Sequence, residues 1–156
     1  MSIEAAKKHL AKYGFADNVI EFDVSSATVE LAAAAIGCQP CMICKSLTFN
    51  VDGKAVMILA AGDAKVDNGK YKGFFGTKAK MLTPDEVESM IGHRIGGVCP
   101  FGINDGVKVY LDISMKRFEY IYPAAGSSNS AIKLTMEELE KVSEADAWID
   151  VCKLPE

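Results

Sequence analysis

The stretch Ile43-Cys44-Lys45-Ser46-Leu47-Thr48-Phe49-Asn50-Val51, then Asp52-Gly53, then Ala55-Val56-Met57-Ile58-Leu59-Ala60-Ala61, decides the fold class. The first segment alternates like a half-buried strand. Ile43, Leu47, Phe49 and Val51 share one parity; Cys44, Ser46, Thr48 and Asn50 share the other. Asp52-Gly53 is a hairpin turn signal. Residues 55–61 are apolar throughout, the pattern of a fully buried strand, and end at Gly62-Asp63. Lys45 breaks the alternation because it falls on the apolar parity. A lysine there must be paired, neutralised or aimed at an anionic ligand, since an isolated buried charge is very costly. The plainer alternative is a stem lying on the core with its head snorkelling to water.

Outward from this hairpin, strands and helices interleave. A helix is expected over residues 3–13, with Ser2 as N-cap and Gly14 past its end. A short strand follows at 19–22, then a helix over Val29–Ile36 stopped by Gly37. Helical patches occupy 66–75. Thr83-Pro84-Asp85-Glu86 is a capping box with proline at the first helical position, opening a helix that ends near Gly92. Strands are expected at 107–112, 119–124 and 131–134, with a short helical turn between the first two. Thr135-Met136-Glu137-Glu138 is a second capping box, and residues 148–151 are placed to close the sheet. Hairpin-like connections favour an α+β fold: a mixed, largely antiparallel twisted sheet flanked by helices, in one domain spanning residues 1–156.

The 156 residues are 49% apolar and 24% charged, as expected of a soluble globular chain with a real core. No apolar run is long enough to span a bilayer, and residues 2–8 lack the apolar region of a signal peptide. Five cysteines, an odd number without an export signal, point to a reducing cytoplasm. The net charge of −4 argues against a general nucleic-acid binder. The charge is uneven, however. Residues 65–80 hold Lys65, Lys70, Lys72, Lys78 and Lys80 against Asp67, with Tyr71, Phe74 and Phe75 interleaved. Residues 135–156 hold seven acids against Lys141 and Lys153. A local basic patch fits a partner touched at one place, such as the end of an RNA. The alternative is a solvated helix face over core aromatics.

Cys38, Cys41 and Cys44 have iron–sulfur spacing, and Cys99 is available as a remote fourth ligand. Cys44 lies inside the strand pattern, whereas cluster ligands need a loop folded around the metal. Small buried thiols are the expected role, with no metal and no cofactor. His9 and His93 are the only histidines, and Gly126-Ser127-Ser128-Asn129 is not a nucleophile elbow, so a Ser or Cys hydrolase triad is poorly supported. No dinucleotide fingerprint or P-loop is present. Gly96-Gly97-Val98-Cys99-Pro100-Phe101-Gly102 is a loop able to present backbone N–H groups to a carbonyl or phosphate; read alone, it is equally a tight connection. The hydroxyls and amide of Gly126–Asn129 suit a ribose or amino group, or a plain turn. Asp63 and Asp112 each follow a strand, placed to pair with Lys45 or a ligand amine, or to cap the next segment.

In order, Ala33-Ala34-Ala35-Ile36-Gly37, the Lys45 strand, Ala61-Gly62-Asp63 with Lys65-Val66-Asp67, Gly96–Gly102 and Ala124-Ala125-Gly126-Ser127 resemble the YbaK/EbsC family, relatives of the editing domain of bacterial prolyl-tRNA synthetases. The resemblance runs from about residue 5 to Val151, and its last loop looks more like the ProX-type branch. It implies a freestanding enzyme that hydrolyses the ester of a mischarged tRNA, removing alanine or cysteine from tRNA for proline. It places the family lysine on Lys45 and the family loop on Gly96 to Pro100. Lys45, Gly97 and Val98 are then the catalytic candidates. Asp63, Gly96, Pro100, Phe101, Gly102, Asp112, Gly126, Ser127 and Asn129 are the substrate-binding ones. The implied partner is the 3′ acceptor end of misacylated tRNA, with prolyl-tRNA synthetase or an elongation factor as protein partners and no membrane. Three other functions compete: a non-catalytic aminoacyl-tRNA-end binding module acting with a synthetase, an iron–sulfur or zinc protein, and a hydrolase of another small ester or thioester.

Overall fold

Asp52 (φ 53°) and Gly53 (φ 82°) both take left-handed backbone, which a two-residue reversal matched to strand twist requires. Asn50 Oδ1 accepts the Gly53 N–H at 2.9 Å and locks the turn. The arms it joins are the longest strands of the molecule, and their hydrogen-bonded register pairs Lys45 with Ala60 and Val51 with Lys54.

The computed structural model describes residues 2–155. In chain order it contains α1 (Ser2–Ala11), β1 (Ile20–Glu21), α2 (Val29–Ile36), β2 (Ile43–Val51), β3 (Lys54–Ala61), β4 (Lys65–Val66), α3 (Asn68–Phe75) and α4 (Pro84–Glu86). Then come β5 (Lys108–Asp112), β6 (Tyr120–Pro123), β7 (Ser130–Ala131), β8 (Leu134–Thr135), α5 (Met136–Val142), β9 (Ala147–Ile149) and β10 (Cys152–Lys153). The side chain of Ser2, expected as the first N-cap, falls outside the described residues.

Six strands form the main sheet in the order β8-β6-β2-β3-β5-β9. The β2–β3 and β6–β8 pairs are antiparallel, as are the two small sheets β1–β7 and β4–β10. The β2–β6, β3–β5 and β5–β9 pairs are parallel, because each is joined by a long crossover. This is the expected mixed α+β sheet. One expected element divides. Residues 131–134 are not a single strand: Ser130–Ala131 pairs with β1 and Leu134–Thr135 with β6. Ala131 and Ile132 are both buried, which breaks the two-residue alternation and passes the chain from one sheet to the other.

Local signals place the helices. Thr28 caps α2, and Gly37 (φ 85°) ends it. Thr83 and Thr135 each form the reciprocal capping box with Glu86 and Glu138. After α4 the chain widens into a π turn over Val87–Ile91 that closes at Gly92. The core is built on β3, whose Met57, Ile58, Leu59, Ala60 and Ala61 are wholly buried. On the other side Ala32 and Ala33 of α2 pack on Ile43 in a separate small cluster with Tyr122.

Asp112, expected either to pair with Lys45 or a ligand amine or to cap the next segment, takes the capping role as a buried structural clamp. Its Oδ2 accepts the Ser114 N–H and its Oδ1 the Val151 N–H, both at 2.9 Å. It caps the short helix over Ile113–Arg117 and anchors the C-terminal segment. Asp112→Ala leaves two buried donors unsatisfied. Its expected cost is about 3 kcal/mol, read as a fall in the urea midpoint.

Candidate functional site

Lys45 projects from β2 beside Ala60, half-buried and lining a cavity of about 190 Å³. Among the described residues it makes no hydrogen bond or ion pair. Burial pushes its ammonium below the ordinary lysine range, and the nearby Lys65 adds to this. Cys152, Asp63 and Glu30 oppose the shift through space without closing a contact. A desolvated cation with no partner is the electrostatic signature of an anion or dipole site.

The cavity walls come from separate elements. Val29 and Ala32 arrive on α2, Tyr122 on β6, and Gly96 and Val98 on the loop after the π turn. Gly97 is what lets that loop lie down. A Cβ there would stand 2.8 Å from the backbone of Gly126 and Ser127, too close for any side chain. Its own N–H donates to Arg94 O at 3.1 Å. Gly97 is therefore corrected from backbone donor to packing contact. The Val98 N–H makes no hydrogen bond among the described residues, so it is the expected donor that stays available.

The structure separates the other expected site residues. Gly126 is buried beneath Gly97. Ser127 Oγ donates to Asn129 Oδ1 at 3.0 Å and lies 2.7 Å from the Ser130 hydroxyl, and Asn129 Nδ2 donates to Phe22 O at 2.9 Å. Ser127 and Asn129 thus tie the wall to the segment ahead of α2 instead of facing the cavity. Asp63 is held by a two-pronged bond from Arg117, at 2.6 and 3.1 Å, which keeps its carboxyl below the usual range. Phe101 is a fully buried core residue. Pro100 and Gly102 line a different cavity of about 640 Å³ against α1. That cavity is larger, but its Lys12 and His9, with Tyr13 beside them, already converge on Glu144. The smaller one holds the unpaired cation and the free amide, and it is the candidate site. Of the expected residues it gathers Lys45, Gly96 and Val98.

Sequence reasoning missed Ser46. The residue lines the same cavity, while its Oγ is buried with no hydrogen-bond partner. Strand parity assigned it to the opposite face, but both faces of β2 are partly covered here. Val29 and Tyr122 were missed too; the small-residue run of α2 marked it for close packing without saying against what.

Cys99 and His93 do meet, with Sγ 3.5 Å from Nε2. Nε2 lies 2.7 Å from Phe101 O, however, so it must carry the proton and donate there. Burial raises the Cys99 thiol to about 12 and lowers His93. The pair has no base to activate the thiol. Cys38 and Cys41 are half-buried and Cys44 is buried. Among the described residues no three His, Cys, Asp or Glu side chains gather closely enough to hold a metal ion. No helix among them is long and apolar enough to cross a membrane.

This arrangement, a small cavity between a mixed sheet and a glycine loop with one desolvated lysine, agrees with the family match. The aminoacyl-tRNA editing domain family matches residues 24–142, and the chain belongs to it. It is 51% identical over 154 residues to the uncharacterized protein YwhH of Bacillus subtilis, covering 98% of each chain. It is 26% identical over 133 residues to a proline–tRNA ligase of Bacillus licheniformis, covering 78% of this chain and 23% of the ligase. A crystal structure described as that of a candidate trans-editing enzyme for prolyl tRNA synthetase superposes with a TM-score of 0.87 at 30% identity, covering 97% of both chains. The resemblance seen in the sequence and the mixed α+β fold are both established by these matches.

The unpaired lysine has a consequence for stability. Its folded pKa is depressed, so the charged form is penalised at neutral pH and the penalty fades as pH rises toward 10.5. Lys45→Met is expected to raise stability at pH 7, by less than removal of a fully buried charge would, because the half-exposed ammonium is partly screened by solvent. The gain over wild type shrinks as pH rises through the Lys45 pKa. Paired urea titrations at pH 7 and at higher pH check both statements.

Proposed function

We propose that this chain is a trans-editing hydrolase, a cytoplasmic single-domain aminoacyl-tRNA deacylase that removes a small mischarged amino acid, alanine or cysteine, from tRNA for proline. The observation that carries the reading is the half-buried, partnerless Lys45 at the cavity bounded by Gly96 and Val98, in a chain of the aminoacyl-tRNA editing family. A volume of about 190 Å³ lies below the roughly 300–1,000 Å³ of pockets that enclose drug-sized ligands. It suits the acyl group of a small amino acid, with the nucleotide outside.

An aminoacyl ester is already activated, so no strong nucleophile is required. Lys45 binds the phosphate or ribose of the terminal adenosine and fixes the ester over the cavity. Water attacks the carbonyl carbon, assisted by the substrate's own 2′-hydroxyl or, for cysteine, its thiol. The Val98 N–H donates to the developing oxyanion, a contribution of roughly 3 kcal/mol for a well-aimed donor. The bond to the ribose oxygen then breaks, releasing free amino acid and tRNA with an intact 3′ end. Cavity shape sets the choice of residue, since one methylene in an apolar pocket discriminates only about 10–200-fold. Prolyl-tRNA synthetase or an elongation factor is the partner that delivers the substrate.

The test is deacylation of alanyl-, cysteinyl-, seryl- and prolyl-tRNA for proline by wild type and Lys45→Ala. One small-residue ester should be cleared rapidly and the prolyl ester spared. Lys45→Ala should lower turnover by about 100-fold or more with an unchanged circular dichroism spectrum. Near wild-type turnover by the folded variant removes Lys45 from the mechanism. Tight binding of all four without turnover replaces the enzyme with a binding module.

A further inference from the structure

A second feature lies beside the Lys45 site. Strands β4 and β10 form a two-residue antiparallel ladder whose register sets Lys65 directly opposite Lys153. Like charges facing each other across a ladder are destabilising. Both residues are exposed, and among the described residues neither makes an ion pair or a side-chain hydrogen bond. Neighbouring charges are differently placed. Lys70 is engaged by Asp150 at 3.0 Å and by Cys152 O at 3.1 Å, and Arg117 is engaged by Asp63. Asp67, the acid nearest Lys153 in sequence along the facing strand, is committed to capping α3 through the Lys70 N–H. Asp67 bears on Lys153 through space, but its carboxylate closes its contact on the α3 backbone, so neither Lys65 nor Lys153 has an acid in contact with it.

Position ties this pair to the site. Ala60, the partner of Lys45, lies near the end of β3; a tight turn with Ala64 N–H donating to Ala61 O at 3.0 Å leads straight into Lys65, close enough for its charge to bear on the Lys45 ammonium, and Lys153 faces Lys65 across the ladder. Three cations therefore lie near one end of the β2–β3 hairpin: Lys45 at the cavity, and the exposed Lys65 and Lys153 outside it. The chain as a whole is acidic, with a net charge of −4. A short basic track on an acidic protein, leading to a site that holds a terminal ester, matches the repeating charge of a phosphodiester backbone.

We propose that Lys65 and Lys153 form a clamp for the sugar–phosphate backbone of the single-stranded 3′ segment of the RNA, directing its terminal nucleotide to Lys45. This rests on the reading of the Lys45 cavity as an aminoacyl-ester site. The cross-strand repulsion is relieved when a phosphate sits between the two ammonium groups, so the pair is poised for an anion at some cost to the free protein.

The experiment measures binding of a labelled, uncharged RNA hairpin with a single-stranded 3′ tail ending in CCA, at several salt concentrations. Compared are wild type, Lys65→Ala/Lys153→Ala, and Lys54→Ala at the far end of β3. The double variant should bind on the order of 10-fold more weakly at 0.1 M salt. Its slope of log affinity against log salt should shrink by about 1.4, the loss of two single-strand phosphate contacts. Lys54→Ala should match wild type. The melting temperature of the double variant should be unchanged or higher, which separates a lost contact from a damaged fold; the single Lys65→Gln and Lys153→Gln changes should each give an intermediate loss. Wild-type affinity and slope in the double variant overturn the clamp, as does an equal loss in Lys54→Ala. A protein that binds the hairpin through these lysines yet deacylates none of the four esters keeps the clamp and loses the hydrolase.

Discussion

The two-residue turn at Asp52-Gly53 sets the register of β2 against β3, and the site depends on that register. A slip of one residue would exchange the faces of β2 and carry Lys45 away from α2 and the glycine loop. The turn is held by two positive φ angles and by the Asn50 side chain, so the register is specified locally. Eight residue pairs then follow without interruption, from Val51 opposite Lys54 to Cys44 opposite Ala61. The wholly buried run from Met57 to Ala61 anchors the partner strand, so β2 has a rigid surface to lie on.

The polar network around the site is organised to leave a few groups unsatisfied. Asp112 satisfies two buried backbone donors, Asn129 secures the segment ahead of α2, and Arg117 and Asp63 satisfy each other. Against that background Lys45 and the Val98 amide stand out as groups with unmet bonding capacity around one cavity. Unsatisfied buried polarity is costly and is found where a ligand completes it. The same reasoning sets the Cys99–His93 contact aside: it is close, but its proton already has an acceptor in Phe101 O.

Membership of the aminoacyl-tRNA editing family gives this polarity a chemical context. The fold positions a sheet edge, a helix and a glycine loop around a small volume, and the proposed reaction needs little reactive machinery because an aminoacyl ester is already activated. The basic ladder of Lys65 and Lys153 extends the same logic outward, since both cationic features lack partners inside the protein.

Most of the secondary structure was legible in the sequence because its determinants are local. Helix α2, both capping boxes, the hairpin and the strand carrying Lys45 follow from periodicity, caps and turn chemistry, which act over a few residues. The unusual placement of Lys45 was legible for the same reason. The division of residues 131–134 between two sheets was not, because both pieces are too short to display a period. Nor was the fate of the loop residues. Whether Asp63 meets Lys45 or Arg117, whether the Gly97 N–H faces a ligand or Arg94 O, and whether Phe101 lines the cavity or fills the core depend on contacts between segments far apart in the chain. A residue's type states what it can bond to. Only the tertiary structure decides which partner reaches it first, because that depends on which distant backbone the packing of the core brings within 3 Å.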